Sequence, residues 1–154
     1  MRGGVAGTGG EAAPSVSDRF NLQRFVDAQA SVYQEVRREL RAGRKESHWM
    51  WFIFPQIAGL GTSPTSVRFA IASLDEARAY LAHPVLGPRL RECAKLAVDV
   101  EGRTAREIFG PVDEMKFRSS MTLFAQAAPD EDVFQRCVDK YFAGSHDPAT
   151  LARL

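Results

Sequence analysis

Hydrophobic side chains recur every three or four residues along most of this chain, with polar side chains between them, and this spacing predicts helices. Gly43 follows the clearest such stretch and suits the left-handed conformation that commonly ends a helix. The pattern therefore predicts one amphipathic helix over about 21–42. Seven positions form its apolar face: Leu22, Phe25, Val26, Gln29, Tyr33, Val36 and Leu40.

Local start signals predict more helices further along the chain. Ser63 before Pro64 has the form of an N-cap followed by proline at the first helical position. Ser73 and Glu76 have the spacing of a capping box, for a helix that ends near residue 82. No β-hairpin signature is found, so the sequence predicts an all-α fold. The remaining helices are expected over 86–100, over 104–109, over 114–127 with Asp113 as the cap, over 134–142, and from Asp147 onward.

The first 17 residues differ from the rest of the chain. They are rich in Gly, Ala and Ser and lack apolar periodicity, so they cannot offset the entropy lost on ordering. We therefore expect a disordered N-terminal tail over 1–17 and a single compact, multi-helical domain over 18–154, a length that suits one domain.

The composition of the chain limits which partners it can bind and indicates where in the cell it works. A net charge of +1 argues against binding of extended nucleic acid. The longest apolar run, Trp49–Phe54, is too short to span a membrane, and the start of the chain lacks the pattern of a signal peptide. Cys93 and Cys137 fall on apolar helical stripes, which predicts buried free thiols. These features favour a cytoplasmic protein with no membrane partner.

An unusual aromatic stretch, SHWMWFIFPQIAGLGTS, occupies residues 47–63. Its six apolar residues fit either a buried strand or a helical turn, and the helical neighbours favour a short helix that Pro55 ends. Two functions remain open for the segment. It is either ordinary core or the wall of a ligand pocket, in which rings stack on a base. The second hypothesis makes four side chains ligand contacts: His48, Trp49, Trp51 and Gln56.

Two polar features sit on otherwise apolar helices. Gln29 lies inside the apolar arc of the first helix, where its amide is either a structural tie to a loop carbonyl or a contact to a ligand. Residues 113–126 combine two cations with three hydroxyls, donors that an anion requires. Lys116 and Ser120 form an i, i+4 pair there. The alternative is a capped core helix with exposed charges.

Other chemistries lack a pattern in this sequence. The three histidines have no metal-ligand spacing, so no metal site is expected. Phosphate loops, Rossmann glycines and the GxSxG elbow are absent, and no cofactor is expected.

Three stretches carry a resemblance to a known family: FVDAQASVYQEVRRELRAGRKESHWMWFIFPQIAGLG, SLDEARAYLAHPVLGPRLREC and EMKFRSSMTLFAQ. Over about residues 20–154 the chain resembles the bacterial domain of unknown function 1810, a mostly helical and cytosolic family. Some members carry the label calpastatin, but that inhibitor is a disordered repeat protein and this chain is not. The family is also distantly similar to the NADAR group, which acts on N-glycosidic bonds of ADP-ribose-type or phosphoribosyl compounds. That similarity implies functional roles for Gln29 and Lys116, while no acidic residue here matches the group's pattern.

Together these features predict a site for a small nucleotide-like or phosphoribosyl ligand, with N-glycoside hydrolysis as the reaction if the protein is an enzyme. Lys116 would bind phosphate or attack the sugar carbon, and Asp113 or Glu114 would assist. The Lys116 amine should then lie within about 10 Å of an aromatic ring or the His48 imidazole, a gap that one small ligand bridges. The alternative is a non-catalytic module that binds a protein partner. The expected ligand contacts are Gln29, His48, Trp49, Trp51, Gln56 and Ser120.

Overall fold

The computed structural model describes residues 18–154, which fold into ten helices around one hydrophobic core. Within this range the only β-type pairing is an isolated parallel bridge between Ile57 and Ile71, so the all-α prediction is confirmed. The disordered tail predicted over 1–17 lies outside the described residues. The helices are α1 Gln23–Ala30, α2 Tyr33–Ala42, α3 Met50–Ile53, α4 Pro64–Arg68, α5 Leu74–Ala82, α6 Leu86–Asp99, α7 Ala105–Phe109, α8 Pro111–Ala127, α9 Asp132–Phe142 and α10 Pro148–Leu151.

Helix α8 is the central element of the fold. It packs against α3, α5, α7, α9 and α10, and Phe117, Met121 and Phe124 are fully buried on it. Its start differs from the prediction, because the helix begins at Pro111 and Asp113 lies in the first turn rather than at the cap. Proline fits the first helical position because its fixed φ angle and missing N–H cost nothing there.

The prediction of one helix over 21–42 is wrong, because this stretch forms two helices, α1 and α2. Helix α1 ends at Ala30, and α2 begins at Tyr33 after a break at Ser31 and Val32. The break lets the two helices pack against different neighbours: α1 packs on α3, and α2 packs on α6. One apolar stripe is therefore divided between two surfaces, which periodicity alone does not reveal.

The aromatic stretch forms the short helix that was predicted, α3, and Pro55 follows its end. Most of its side chains are core: Trp49, Met50, Ile53 and Phe54 are each at most 2% exposed. Trp51 is different, because it is only half-buried. The segment is thus core on one side and surface on the other.

Several local predictions are confirmed. Gly43 adopts φ +69° at the end of α2. The Ser63 hydroxyl caps α4, and the Ser73 hydroxyl accepts from the Glu76 amide at 3.2 Å. The reciprocal half of that capping box is missing, because the Glu76 carboxylate binds the Ala72 amide at 2.9 Å instead. Both cysteines are buried free thiols, and burial raises the pKa of each to about 12.

Candidate functional site

A surface cleft lies between α3, the loop that follows it, α4 and the first turns of α8. It has two adjoining lobes that share Gln56, Gly61 and Ser66. The Trp51 lobe, of about 210 Å³, is lined by Trp51, Gln56, Ile57, Ala58, Gly59, Gly61, Ser66, Val67, Phe69 and Ala70. The Lys116 lobe, of about 480 Å³, is lined by Gln56, Leu60, Gly61, Ser66, Pro111, Val112, Met115, Lys116, Ser119, Asp147 and Ala149.

Backbone hydrogen bonds hold the loop that separates the lobes. The Ile71 amide donates to the Gln56 carbonyl and the Ala58 amide donates to the Ile71 carbonyl, each at 2.8 Å. Gly61 brings the loop against α4, since a Cβ at this position would lie only 2.7 Å from the Ser66 side chain. The loop backbone at Gly61 therefore packs directly against the Ser66 side chain of α4 at the seam of the cleft.

Lys116 lies over Trp51 at the junction of the lobes. Its ammonium is 4.9 Å from the centre of the Trp51 ring, well inside the separation expected from the sequence. The nearest carboxylate, Asp113, is 3.9 Å away and makes its shorter ion pair, 2.9 Å, with Lys45. Because Asp113 lies closer to Lys45 than to Lys116, it compensates the positive charge of Lys116 only weakly, and the ammonium can pair with a further anion.

The indole N–H of Trp51 is buried and has no hydrogen-bond partner among residues 18–154. A buried donor without a partner is destabilising, and such groups are uncommon in folded proteins. The position of the Trp51 ring is therefore stabilised by contacts of its apolar faces, and its N–H contributes no hydrogen bond within the described part of the chain.

Glu39 fixes the segment that leads into α3. Its carboxylate accepts hydrogen bonds from the Glu46 and Ser47 amides, at 2.7 and 3.1 Å, from the Ser47 hydroxyl, and from the Trp49 indole at 2.9 Å. Burial alone would raise the pKa of Glu39, but these donors outweigh it and lower the pKa to about 2. The bonds explain why Trp49 is core: its N–H is already used.

Gln29 is the structural tie and not a cleft residue. It is 1% exposed, and its amide nitrogen donates to the Phe52 carbonyl at 2.8 Å and to the Tyr80 hydroxyl at 3.1 Å. Its amide oxygen accepts from Arg89 at 3.3 Å. These bonds hold the carbonyl of α3 from beneath, which leaves no polar atom of Gln29 for a ligand.

Five other expected site residues line neither lobe: Asp113, Glu114, His48, Trp49 and Ser120. His48 is exposed, Trp49 is buried core, and Glu114 pairs with Arg106 at 2.7 Å. Ser120 is fully buried and its hydroxyl has no partner among the described residues, so the expected pair with Lys116 does not form. A helix places i and i+4 on one face, but here Ser120 points into the core and Lys116 lies at its edge.

A buried carboxylate that the sequence pattern does not predict as a site residue, Asp147, lines the Lys116 lobe. Asp147 accepts from the Ser119 and Thr150 hydroxyls, each at 2.6 Å, and its amide donates to the Thr122 hydroxyl at 3.0 Å. Burial alone would raise the pKa of Asp147, but these hydroxyl donors lower it. The sequence indicates Asp147 only as the start of the last helix, because its partners Ser119 and Thr122 lie 28 and 25 positions away.

Apolar side chains stand exposed around the cleft. Val67 in the Trp51 lobe is 63% exposed, and Val112 and Met115 in the Lys116 lobe are 67% and 55% exposed. Three exposed apolar side chains at one opening exceed the scattered exposure that is normal for a surface.

Two classes of site find no candidate in the described part of the chain. Residues 18–154 contain no cluster of three or more His, Cys, Asp or Glu side chains that could hold a metal ion. None of the described helices has the length and apolar character needed to cross a bilayer.

Comparisons with known proteins agree with the fold. The chain matches the family model described as protein of unknown function (DUF1810) over residues 19–154. The crystal structure of the conserved hypothetical protein Rv1873 from Mycobacterium tuberculosis is similar, with 56% sequence identity and a TM-score of 0.88, over 89% of this chain and 98% of that one. No functionally curated protein matches the sequence. The similarity to the NADAR group stays a prediction.

Proposed function

This chain belongs to the DUF1810 family of proteins of unknown function, and we propose that its cleft binds a small ligand with a flat ring and a phosphate. One observation carries the proposal: the incompletely paired Lys116 ammonium lies on the Trp51 ring where the two lobes meet. A cation and an aromatic surface at one opening suit a nucleotide-like or phosphoribosyl compound.

The lobes differ in what they offer such a ligand. The Trp51 lobe is mostly apolar, with aromatic surface from Trp51 and Phe69, and suits the ring. The Lys116 lobe contains the ammonium together with the Gln56 amide, two donors that suit the phosphate, while the Ser119 hydroxyl already donates to Asp147. Its volume of about 480 Å³ falls within the range typical of small-molecule sites, roughly 300–1,000 Å³.

A comparison of adenosine with adenosine monophosphate tests the proposal, since the two differ only in the phosphate. Binding is followed by thermal shift and by tryptophan fluorescence, with Trp51→Phe to assign the signal to the cleft and not to buried Trp49. We expect the monophosphate to bind about tenfold more tightly than the nucleoside to the unmodified protein. Lys116→Met should remove that preference.

The matched control is Lys95→Met, which removes a lysine that lines neither lobe. It should leave the preference for the monophosphate unchanged. Equal binding of the two compounds, or an equal loss in both lysine variants, would refute the assignment of Lys116 to the phosphate.

N-glycoside hydrolysis is the reaction that we propose for a bound ligand of this kind. Water attacks the anomeric carbon, the C–N bond breaks with its electron pair leaving on nitrogen, and a carboxylate takes the proton of the water. Asp147 lines the Lys116 lobe. Asp113 lies 3.9 Å from Lys116, although it lines neither lobe and also pairs with Lys45, and Glu114 is engaged by Arg106. Chromatography for released base tests this, with Asp113→Asn and Asp147→Asn expected to abolish release and Glu114→Gln to retain it.

A protein partner is the second candidate function, and the exposed apolar rim of Val67, Val112 and Met115 favours it. In this case the rim, rather than Lys116, would determine binding. Val112→Ser with Met115→Gln should then abolish partner binding, whereas Lys116→Met should leave it unchanged.

A further inference from the structure

Arg153 is exposed and lines neither lobe, but it binds the backbone of one residue from each. Its guanidinium donates to the Ala149 carbonyl at 2.8 Å and to the Gly59 carbonyl at 3.3 Å. Ala149 lines the Lys116 lobe and Gly59 lines the Trp51 lobe. A second cation is therefore fixed beside the cleft, held by the backbone of a residue from each lobe.

The guanidinium of Arg153 retains unused donors. An arginine has five N–H groups, and the two carbonyls use two of them. No carboxylate among residues 18–154 lies within ion-pair distance of Arg153. Its charge is thus uncompensated by the described protein and is available to an anion.

Gly59 allows this placement. Its φ is +99°, and a Cβ there would lie 2.8 Å from the Nε atom of Arg153. Any larger residue would have to push the arginine side chain off the loop. Glycine at this position therefore lets the guanidinium rest directly on the backbone of the Trp51 lobe.

We propose that Arg153 is a second anion-binding side chain of the cleft, and that the ligand is of the pyrophosphate-bearing class, as in a nucleoside diphosphate. The inference rests on the proposed function for the ring and the first phosphate, which Trp51 and Lys116 bind. A planar guanidinium with free N–H groups suits the second phosphate, because it can donate two parallel hydrogen bonds to its oxygens.

The test measures binding of inorganic pyrophosphate, adenosine monophosphate and adenosine diphosphate by calorimetry. We expect Arg153→Gln to weaken pyrophosphate and diphosphate binding about tenfold and to change monophosphate binding little. Gly59→Ala should weaken binding of inorganic pyrophosphate, which has no ring, in the same way with the arginine still present. Gly102→Ala is the matched control, since Gly102 also has a positive φ of +76° but a Cβ there meets nothing within 4 Å.

The outcomes separate this inference from the proposed function. Diphosphate binding that depends on Lys116 but is unchanged by Arg153→Gln would overturn the role of Arg153 and keep the proposed site. Pyrophosphate binding that depends on Arg153, without any binding of adenosine monophosphate, would support Arg153 and reject the ring site. Failure of both pyrophosphate and the diphosphate to bind the unmodified protein would overturn the inference.

Discussion

The Lys116 ammonium lies 4.9 Å from the centre of the Trp51 ring, and this contact joins the central helix to the aromatic segment at the surface. The same segment places Trp49 in the core, with its N–H on Glu39. Two neighbouring tryptophans therefore have opposite environments. The aromatic stretch is both core and cleft wall, and the choice between these hypotheses is made residue by residue.

Gln29→Leu should destabilise the fold by about 1–3 kcal/mol, because it leaves the part-buried Phe52 carbonyl and Arg89 without their amide partners. Gln29 does not line the cleft, so ligand affinity should fall only if the loss of this bond displaces α3 and with it Trp51. Urea unfolding measures the free energy. Gln23→Leu is the control on the same helix, since Gln23 is exposed, and it should change stability by less than about 0.5 kcal/mol. Equal effects of the two variants would contradict the structural role of Gln29.

Glu39 should make the protein sensitive to acid. A carboxylate whose pKa is lowered in the fold contributes stability that is present above its unfolded pKa and lost as pH falls through the folded one. For Glu39 the window runs from its ordinary value of 4.5 down to about 2. Urea unfolding at pH 7 and at pH 3 should show Glu39→Gln costing about 3 kcal/mol at the higher pH and clearly less at the lower.

Glu35→Gln provides the comparison for Glu39. Glu35 lies on the same helix, but its side chain is 47% exposed and pairs with Arg38 at the surface. Its variant should unfold like the parent protein at both pH values, because an exposed ion pair contributes little. A cost for Glu35→Gln as large as that for Glu39→Gln would show that general charge, and not the buried hydrogen bonds, controls acid stability.

Ser119 and Ser120 are adjacent in sequence and should respond differently to alanine. Ser119→Ala removes the 2.6 Å hydrogen bond to Asp147 and should cost about 1–2 kcal/mol. Ser120→Ala removes a buried hydroxyl that has no partner among the described residues, so stability should be unchanged or should rise slightly. Thermal and urea unfolding of the two variants compare them. A larger loss for Ser120→Ala would show that its hydroxyl has a partner, and any loss of ligand affinity would restore it to the site.

Local chemistry explains which parts of the fold could be predicted from sequence. The caps at Ser63 and Ser73, the end of α2 at Gly43 and the short helix after Trp49 all depend on a few neighbouring residues. The break between α1 and α2 could not be predicted in this way, because it depends on the separate surfaces of α3 and α6. Periodicity reports that a face is buried but not what buries it.

The site follows the same division. Lys116 and Trp51 could be linked in advance because an anion needs a fixed cation and a ring needs an aromatic wall. Asp147 could not be linked to Ser119, since the two are 28 positions apart and meet only when α10 docks on α8. Arg153 reaches Gly59 across 94 positions, through a contact that leaves no trace in local sequence.

Gly61 and Ser66 should be energetically coupled at the seam of the cleft. A Cβ on residue 61 would lie 2.7 Å from both the Cβ and the Oγ of Ser66, too close for either atom to yield without moving the loop or α4. Gly61→Ala should therefore lower stability by more than about 1 kcal/mol and distort both lobes, which share these two residues.

Ser66→Gly alone should cost about 0.5–1 kcal/mol, the usual penalty for glycine within a helix. The double variant removes the clash, so its loss of stability should be smaller than the sum of the two single losses by about 1 kcal/mol or more. Urea unfolding of the four proteins gives this coupling energy directly. Simple additivity would show that the loop moves away from α4 at little cost, and the cleft would then lack the fixed shape that selective ligand binding requires.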